Sequence, residues 1–135
     1  MAARGIRNNN PGNIRHGDKW QGLSAEQTDS EFCVFSQPEY GIRALCRILR
    51  TYQRKYGLRD VHSIINRFAP LVENDTESYI KSVCLKLDVT PETLIDLEEK
   101  GIMLNLLKAI IRHENGEQPY SDEVLLQGIE MAGVK

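Results

Sequence analysis

Ile102-Met103-Leu104-Asn105-Leu106-Leu107-Lys108-Ala109-Ile110-Ile111, running on into Arg112-His113-Glu114-Asn115-Gly116, is apolar around most of a helical circumference. A helix of that kind has no broad face to give to water, so it belongs in the middle of a domain with other helices packed against it. The segments on either side supply them. Downstream, Ser121 followed by Asp122 and Glu123 opens a final helix to about Ala132, with a capping hydroxyl and two acids at the positive dipole end. Upstream, Thr90-Pro91-Glu92 carries the same chemistry with proline at the first helical position, and predicts a short helix to about Leu97.

Further upstream, Asp75 or Thr76 starts a helix that buries Tyr79, Ile80, Val83, Cys84 and Leu87. Asp60 caps a shorter one, stopped by Pro70, with Val61, Ile64, Ile65 and Phe68 inward. The longest runs from Pro38 to a left-handed cap at Gly57. Ile42, Leu45, Cys46, Leu49, Tyr52 and Tyr56 recur on its inner face, and Arg43, Arg47, Arg50 and Arg54 on another stripe. Only residues 1–37 escape this pattern. They are rich in asparagine, glycine and turn signals such as Asn10-Pro11-Gly12-Asn13, and the alternation from Glu31 to Phe35 suits a strand or hairpin arm. The expected fold is mainly α: a single helical domain, residues 1–135, with a small irregular or β-hairpin N-terminal lobe and any sheet confined to residues 19–36.

Composition agrees with one compact unit. An apolar fraction of 41% and a charged fraction of 27% are ordinary for a globular chain of this length. No apolar run approaches the roughly 20 residues that span a bilayer, so no membrane insertion is expected. The Met1–Arg7 stretch has no apolar segment after its positive charges, which implies synthesis in the cytoplasm without a signal peptide. Cys33, Cys46 and Cys84 are widely spaced among apolar neighbours and read as small core residues rather than a disulfide framework. Net charge is −2, but residues 1–72 hold eleven Lys and Arg against six Asp and Glu, while residues 73–135 hold six against thirteen. A basic half of this kind permits attraction to an anionic polymer without naming it.

One carboxylate stands out. Glu114 follows Ile111, Ile110 and Leu107 by three, four and seven residues, so it shares their inward face at the end of the central helix. Burial and the negative end of a helix both disfavour a charged carboxylate, and a protonated carboxyl is what general acid catalysis requires. The plainer reading is a carboxyl that bonds a loop or pairs with an arginine. Glu73, in Glu73-Asn74-Asp75-Thr76, is the rival; its place before a helix also suits an ordinary dipole or capping role.

The stretch Arg4-Gly-Ile-Arg-Asn-Asn-Asn-Pro-Gly-Asn-Ile-Arg15, with Trp20-Gln-Gly22, Tyr40-Gly-Ile-Arg-Ala44, Ala109–Gly116 and Pro119–Asp122, closely resembles small phage virion or structural proteins. A more distant resemblance is to flagellar-type glucosaminidases of the lysozyme-like superfamily. Asn9, Asn10, Gly12 and Ile14 resemble their Asn-Asn segment, Trp20 and Gly22 their Trp-x-Gly, and Phe35 with Ser36 the piece that follows. Their helix ending in glutamate lies upstream of these pieces; here the matching helix, Ala109–Gly116, lies downstream, as in a circular permutation. The resemblance implies a lysozyme-like domain that cleaves peptidoglycan glycan strands as a muramidase, glucosaminidase or lytic transglycosylase, with Glu114 as acid and Glu73 as the second candidate. It implies a sugar-binding set of Asn8, Asn9, Asn10, Asn13, Trp20, Tyr40 and Tyr120, in which amides serve hydroxyl and N-acetyl groups and aromatic rings pack on sugar faces. Taken singly, each asparagine is equally a turn former.

The implied partner is bacterial peptidoglycan, with other virion or secretion-system proteins, reached after release or delivery. No cofactor or metal is expected. His113-Glu114 lacks the second histidine of a zinc protease, since position 117 is Glu, and His16, His62 and His113 have no ligand-like spacing with the cysteines. Neither a phosphate-cradling glycine loop nor a nucleophile elbow is present. Two other classes compete. A non-catalytic virion or wall-binding protein would keep the groove without the acid's function. A nucleic-acid binder would use the Arg43–Arg54 stripe, which a pI near 5.9 disfavours.

Overall fold

The computed structural model describes residues 2–69 and 75–135. Six helices follow in order: α1 (Arg4–Arg7), α2 (Pro38–Tyr56), α3 (Val61–Phe68), α4 (Thr76–Leu87), α5 (Lys100–Asn115) and α6 (Asp122–Met131). The chain is mainly α, as the periodicity predicts. α2 packs chiefly on α6, and α4 chiefly on α5; α5 also touches α1, α2 and α6 and so holds the centre. Met103, Leu106, Leu107, Ile110 and Ile111 are fully buried along it, beside Ile42, Leu45 and Leu49 of α2 and Tyr79 and Val83 of α4.

The helix ends follow their local chemistry. Pro38 stands in the first turn of α2, where its missing N–H has no partner to lose, and Gly57 ends the helix at φ 66°. Asp60 accepts from the Ser63 N–H at 2.8 Å, Asp75 from Ser78 at 3.2 Å and Ser121 from Val124 at 3.2 Å. Gly116 closes α5 at φ 77°.

Two expectations give way. Thr90 to Leu97 is not a helix but a turn at Pro91 and Glu92 followed by irregular chain that enters a second turn at Leu97. Its capping chemistry is spent locally, Thr93 Oγ1 accepting from the Thr90 N–H at 3.1 Å. Its backbone is claimed by distant partners: Pro91 O accepts from the His62 N–H, the Ile95 N–H donates to Arg59 O, and buried Gln53 bonds both Ile95 O and the Leu97 N–H. Ile95 and Leu97 are thereby buried without a helix. The hairpin arm is also absent among the described residues. In its place stand two isolated bridges, Arg15 with Phe32 and Leu23 with Phe35, and among the described residues the only regular element before Pro38 is the single turn of α1.

All three cysteines are unbridged and buried, and burial pushes the Cys46 thiol up to about 12. No helix among the described residues is long and apolar enough to cross a membrane.

Candidate functional site

The N-terminal lobe is folded around its own amides. Asn10 has no exposed surface; its Nδ2 donates to Ile14 O and Cys33 O, both at 2.9 Å, and its Oδ1 accepts from the Ile14 N–H at 3.0 Å. Asn9, at φ 52°, donates to Phe35 O at 3.0 Å, and Asn8 donates to Asp29 at 3.0 Å. Asp29 is the second hub. It takes two 2.6 Å bonds from the Arg4 guanidinium and accepts from the Glu31 and Phe32 N–H groups, and these donors, Arg4 foremost and then Asn8, hold its carboxyl far below the usual range. The amides of Asn8, Asn9 and Asn10 are thus engaged inside the lobe rather than turned toward a groove.

Asn13 differs. At φ 51° it sits in the left-handed region that asparagine tolerates, and its Nδ2 donates to Glu114 Oε1 at 3.1 Å across 101 residues of chain. The other oxygen, Oε2, accepts from the Tyr79 hydroxyl of α4 at 3.0 Å. Tyr79 is wholly buried, and its ring stacks on His113 with centroids 3.7 Å apart and 22° between planes. Burial, followed by the neighbouring Glu114 charge, pushes the Tyr79 hydroxyl far up, so it keeps its proton and remains a donor. A third link anchors the same helix end: Asn115 Nδ2 donates to Pro11 O at 2.8 Å and Ile111 O at 2.9 Å.

Glu114 is half-buried and lines a cleft of about 340 Å³ whose other walls include Asn13, Ile14, Phe32, Ile48, Tyr52 and Phe68. The helix spacing therefore placed it correctly on the inward side, at the seam between lobe and helices. A wider depression of about 1140 Å³ lies between α3, α4 and the 88–92 turn, around Ile80, Lys81, Cys84 and Leu85. It holds none of the expected acid or sugar-binding residues, and the 340 Å³ cleft is the better candidate because it contains a fixed, hydrogen-bonded carboxyl among apolar walls.

The aromatic members of the expected sugar set lie elsewhere. Tyr40 borders a separate hollow between α2 and α6, with Gln37, Glu39 and Glu123. Trp20 and Tyr120 are partly buried against the core, their Nε1 and hydroxyl without a partner among the described residues, and burial pushes Tyr120 up to about 12. Neither lines the Glu114 cleft. Glu73 lies outside the described residues. Conversely, Tyr52, Phe68 and Tyr79 read in the sequence only as core positions. No spacing within one helix relates Tyr79 to Glu114, since the contact joins two helices.

The arginine stripe of α2 is divided. Arg50 forms a bidentate pair with Glu98 at 2.8 and 2.7 Å and also donates to Ala132 O at 2.7 Å, while Arg43 is partly buried. Arg47 is exposed but also reaches Ala132 O at 3.5 Å, and Arg54 is exposed. Among the described residues no group of His, Cys, Asp and Glu is placed to hold a metal ion.

Among known proteins, no family model matches the chain. It is similar to Protein P5 of Pseudoalteromonas phage PM2, with 42% identity over 133 residues that cover 96% of this chain and 81% of the phage protein.

Proposed function

The chain belongs to the family of that phage protein, and we propose that it works at the bacterial cell wall, cleaving the glycan strands of peptidoglycan with Glu114 as general acid. The observation that carries the reading is the Glu114 carboxyl at the wall of the cleft, oriented from one side by Tyr79 and from the other by Asn13. A carboxyl fixed at both oxygens presents a constant geometry to a bound glycosidic oxygen, and positioning of this kind supplies much of a catalytic advantage. In the proposed step Glu114 gives its proton to the leaving oxygen as the C1–O bond breaks. A water, or a hydroxyl of the same sugar, then bonds to C1 and returns a proton to Glu114. The resemblance of the Ala109–Gly116 helix, which ends in Glu114, to the glutamate helix of the lysozyme-like glucosaminidases is the second ground for the assignment.

A second reading is a non-catalytic phage virion or wall-binding component. The phage relative favours it, as does the engagement of both Glu114 oxygens by donors of the same chain, which equally describes a carboxyl that fastens the lobe to α5.

Incubation with murein sacculi separates the two. Glu114→Gln is expected to lose about a hundredfold to ten-thousandfold in cleavage rate while remaining folded, and Glu73→Gln to lose less. Product masses assign the chemistry, reducing ends meaning hydrolysis and anhydro ends attack by the sugar's own hydroxyl. If the parent protein leaves sacculi intact, the second reading stands; if Glu114→Gln cleaves as fast as the parent, the acid is misassigned.

A further inference from the structure

The depression of about 1140 Å³ between α3, α4 and the 88–92 turn takes no part in the Glu114 chemistry. In its lining Ile80 and Cys84 are buried and Val89 and Pro91 half-buried, whereas Leu85 keeps 76% of its surface exposed. Leu94, just past the same turn, keeps 73%. Apolar surface left open in this way is unfavourable in water unless something covers it. Around it stand the exposed carboxylates of Glu77, Asp88 and Glu92, against one lysine, Lys81; His62 and Asn66, also in the lining, bond each other. The reciprocal surface lies at the end of α2. Tyr56, at 44%, is the third large hydrophobic left exposed among the described residues. Lys55 Nζ and the Arg67 guanidinium lie over its ring at 5.5 and 3.8 Å. The preceding turns of α2 carry a hollow of about 310 Å³ lined by Arg47, Arg50, Arg54 and Lys55 with Thr51, a positive surplus even with Glu98 paired to Arg50. An exposed aromatic among cations and an open apolar groove among acids are complementary in polarity and in charge. They do not meet within one molecule. Asn66 lines the groove while Arg67 lies over Tyr56, and one residue along a helix turns about 100°, so the two patches look out on different sides of α3.

We infer that the depression is a docking site for a second copy of this chain, which inserts the end of its α2: Tyr56 enters the groove beside Leu85, and Arg54 and Lys55 meet Glu77, Asp88 and Glu92. A helix end laid into an apolar groove is a common mode of recognition, with a buried aromatic as its anchor and the surrounding charges steering approach and fixing register. Because knob and groove are different surfaces, the contact is head-to-tail, and each copy in it still offers one of each. Repetition builds a ring if the rotation closes and an open chain if it does not. The division of charge along the chain favours the same order. Residues 1–72 hold eleven Lys and Arg against six Asp and Glu and residues 73–135 six against thirteen, so like-on-like pairing is repelled and head-to-tail pairing attracted. A contact this small is weak, concentration-dependent and strongest at low salt.

Sedimentation velocity on the full chain tests it. At about 0.05 M salt the weight-average mass is expected to rise above 15.4 kDa with protein concentration, and to fall back at about 1 M, where charges are screened within about 3 Å. Two variants reverse one surface each: Glu77→Lys with Glu92→Lys in the groove, and Arg54→Glu with Lys55→Glu on the knob. Each alone is expected to associate at least about tenfold more weakly. Mixed in equal amounts they recover association, since the reversed groove accepts the reversed knob. All four positions are exposed, so a melting temperature shared with the parent confirms that folding is intact. Cross-linking fixes the geometry: under mild oxidation, Tyr56→Cys protein mixed with Leu85→Cys protein is expected to form a disulfide-linked pair that neither forms alone. The inference is overturned if the parent stays at 15.4 kDa up to about millimolar concentration at low salt, which leaves the groove to another occupant. It is equally overturned if the two reversed variants stay apart when mixed, or if Leu85→Cys protein cross-links to itself as readily as to Tyr56→Cys, which would mean groove packed on groove.

Discussion

The lobe of residues 2–37 and the helical body from Pro38 onward are held together by different forces. In the body each helix satisfies most of its own backbone groups, and stability comes from apolar side chains such as Leu49, Leu106, Leu107 and Ile110, none of which keeps exposed surface. The lobe has one helical turn and two isolated bridges, so its backbone polar groups need partners from outside any repeating pattern. The side chains of Asn9, Asn10, Gln27 and Asp29 provide them, and Asn8 holds Asp29 in place. An irregular segment can be as closely determined as a helix when buried amides fix it, but it then fails for different reasons. Removing a methyl group matters most in the body; removing an amide or a charge matters most in the lobe.

The largest effect is expected in the body. Leu107→Ala leaves a cavity in the centre of α5 and costs about 2–5 kcal/mol by urea unfolding. Because α5 contacts α1 as well as α2, α4 and α6, lobe and body are expected to unfold together. A loss under about 1 kcal/mol would mean that the core repacks and that burial is not its main support.

Asn10→Ala attacks the lobe. It strands the buried Ile14 N–H and the Cys33 carbonyl, while the Ile14 carbonyl keeps its bond from the Cys33 N–H, for an expected loss of about 1–3 kcal/mol. Hydrogen exchange localises it: amides of residues 8–36 should lose protection while those of α5 keep theirs. Equal loss in α5 would erase the distinction between the two regions. Gly41 marks where they join, because a Cβ there would run into the Asn9 carbonyl oxygen; Gly41→Ala is expected to lift the lobe off α2.

Acid should act on the lobe first. The Asp29 carboxyl is held below its ordinary value of 3.8, so its contribution is complete at neutral pH and is lost as pH falls below about 4. The groups around it are Arg4, Asn8 and Glu31, with His16 bonded to its carbonyl. Glu98 in the body is also lowered, by Arg50, but its side chain is 44% exposed and solvent weakens the effect. Phe32 and Cys33 amide signals should therefore broaden on acidification before those of α2. Asp29→Asn should loosen the lobe at pH 7 and flatten its pH dependence. Loss of both regions at one pH would break the comparison.

The two regions also differ in how much their sequence discloses. Helices α2 to α6 were legible because apolar spacing and capping chemistry are local; Pro38, Gly57, Asp60, Asp75 and Ser121 stand where their types predict. Residues 90–97 show the limit of that logic. Thr90-Pro91-Glu92 has the composition of a helix start, but Gln53, Arg59 and His62 take up the backbone groups a helix would have used. The inward turn of Glu114 was readable from three residues of its own helix, whereas its partners were not. Asn13 is 101 residues away and Tyr79 is 35 residues away on another helix. The asparagines were legible as a group with a purpose, but their assignment to sugar or to backbone depends on long-range partners such as Cys33 and Phe35.

Asn13 is where lobe and body touch through the candidate acid, and it gives the smallest and most discriminating effect. Its φ of 51° favours glycine as well as asparagine, so Asn13→Gly removes the bond to Glu114 without straining the backbone. The expected cost is about 0.5–1.5 kcal/mol, the usual net worth of one hydrogen bond. Asn13→Ala removes the same bond and adds the left-handed penalty of about 1–2 kcal/mol, so thermal unfolding should rank parent, glycine variant and alanine variant in that order. The gap between the two variants measures backbone strain, and the gap from parent to glycine measures the link across the seam. If Asn13→Gly matches the parent in stability but slows cleavage of sacculi, the bond orients Glu114 without fastening the lobe. If it lowers stability and leaves cleavage unchanged, Glu114 serves as a clasp between the two regions, as the non-catalytic reading requires.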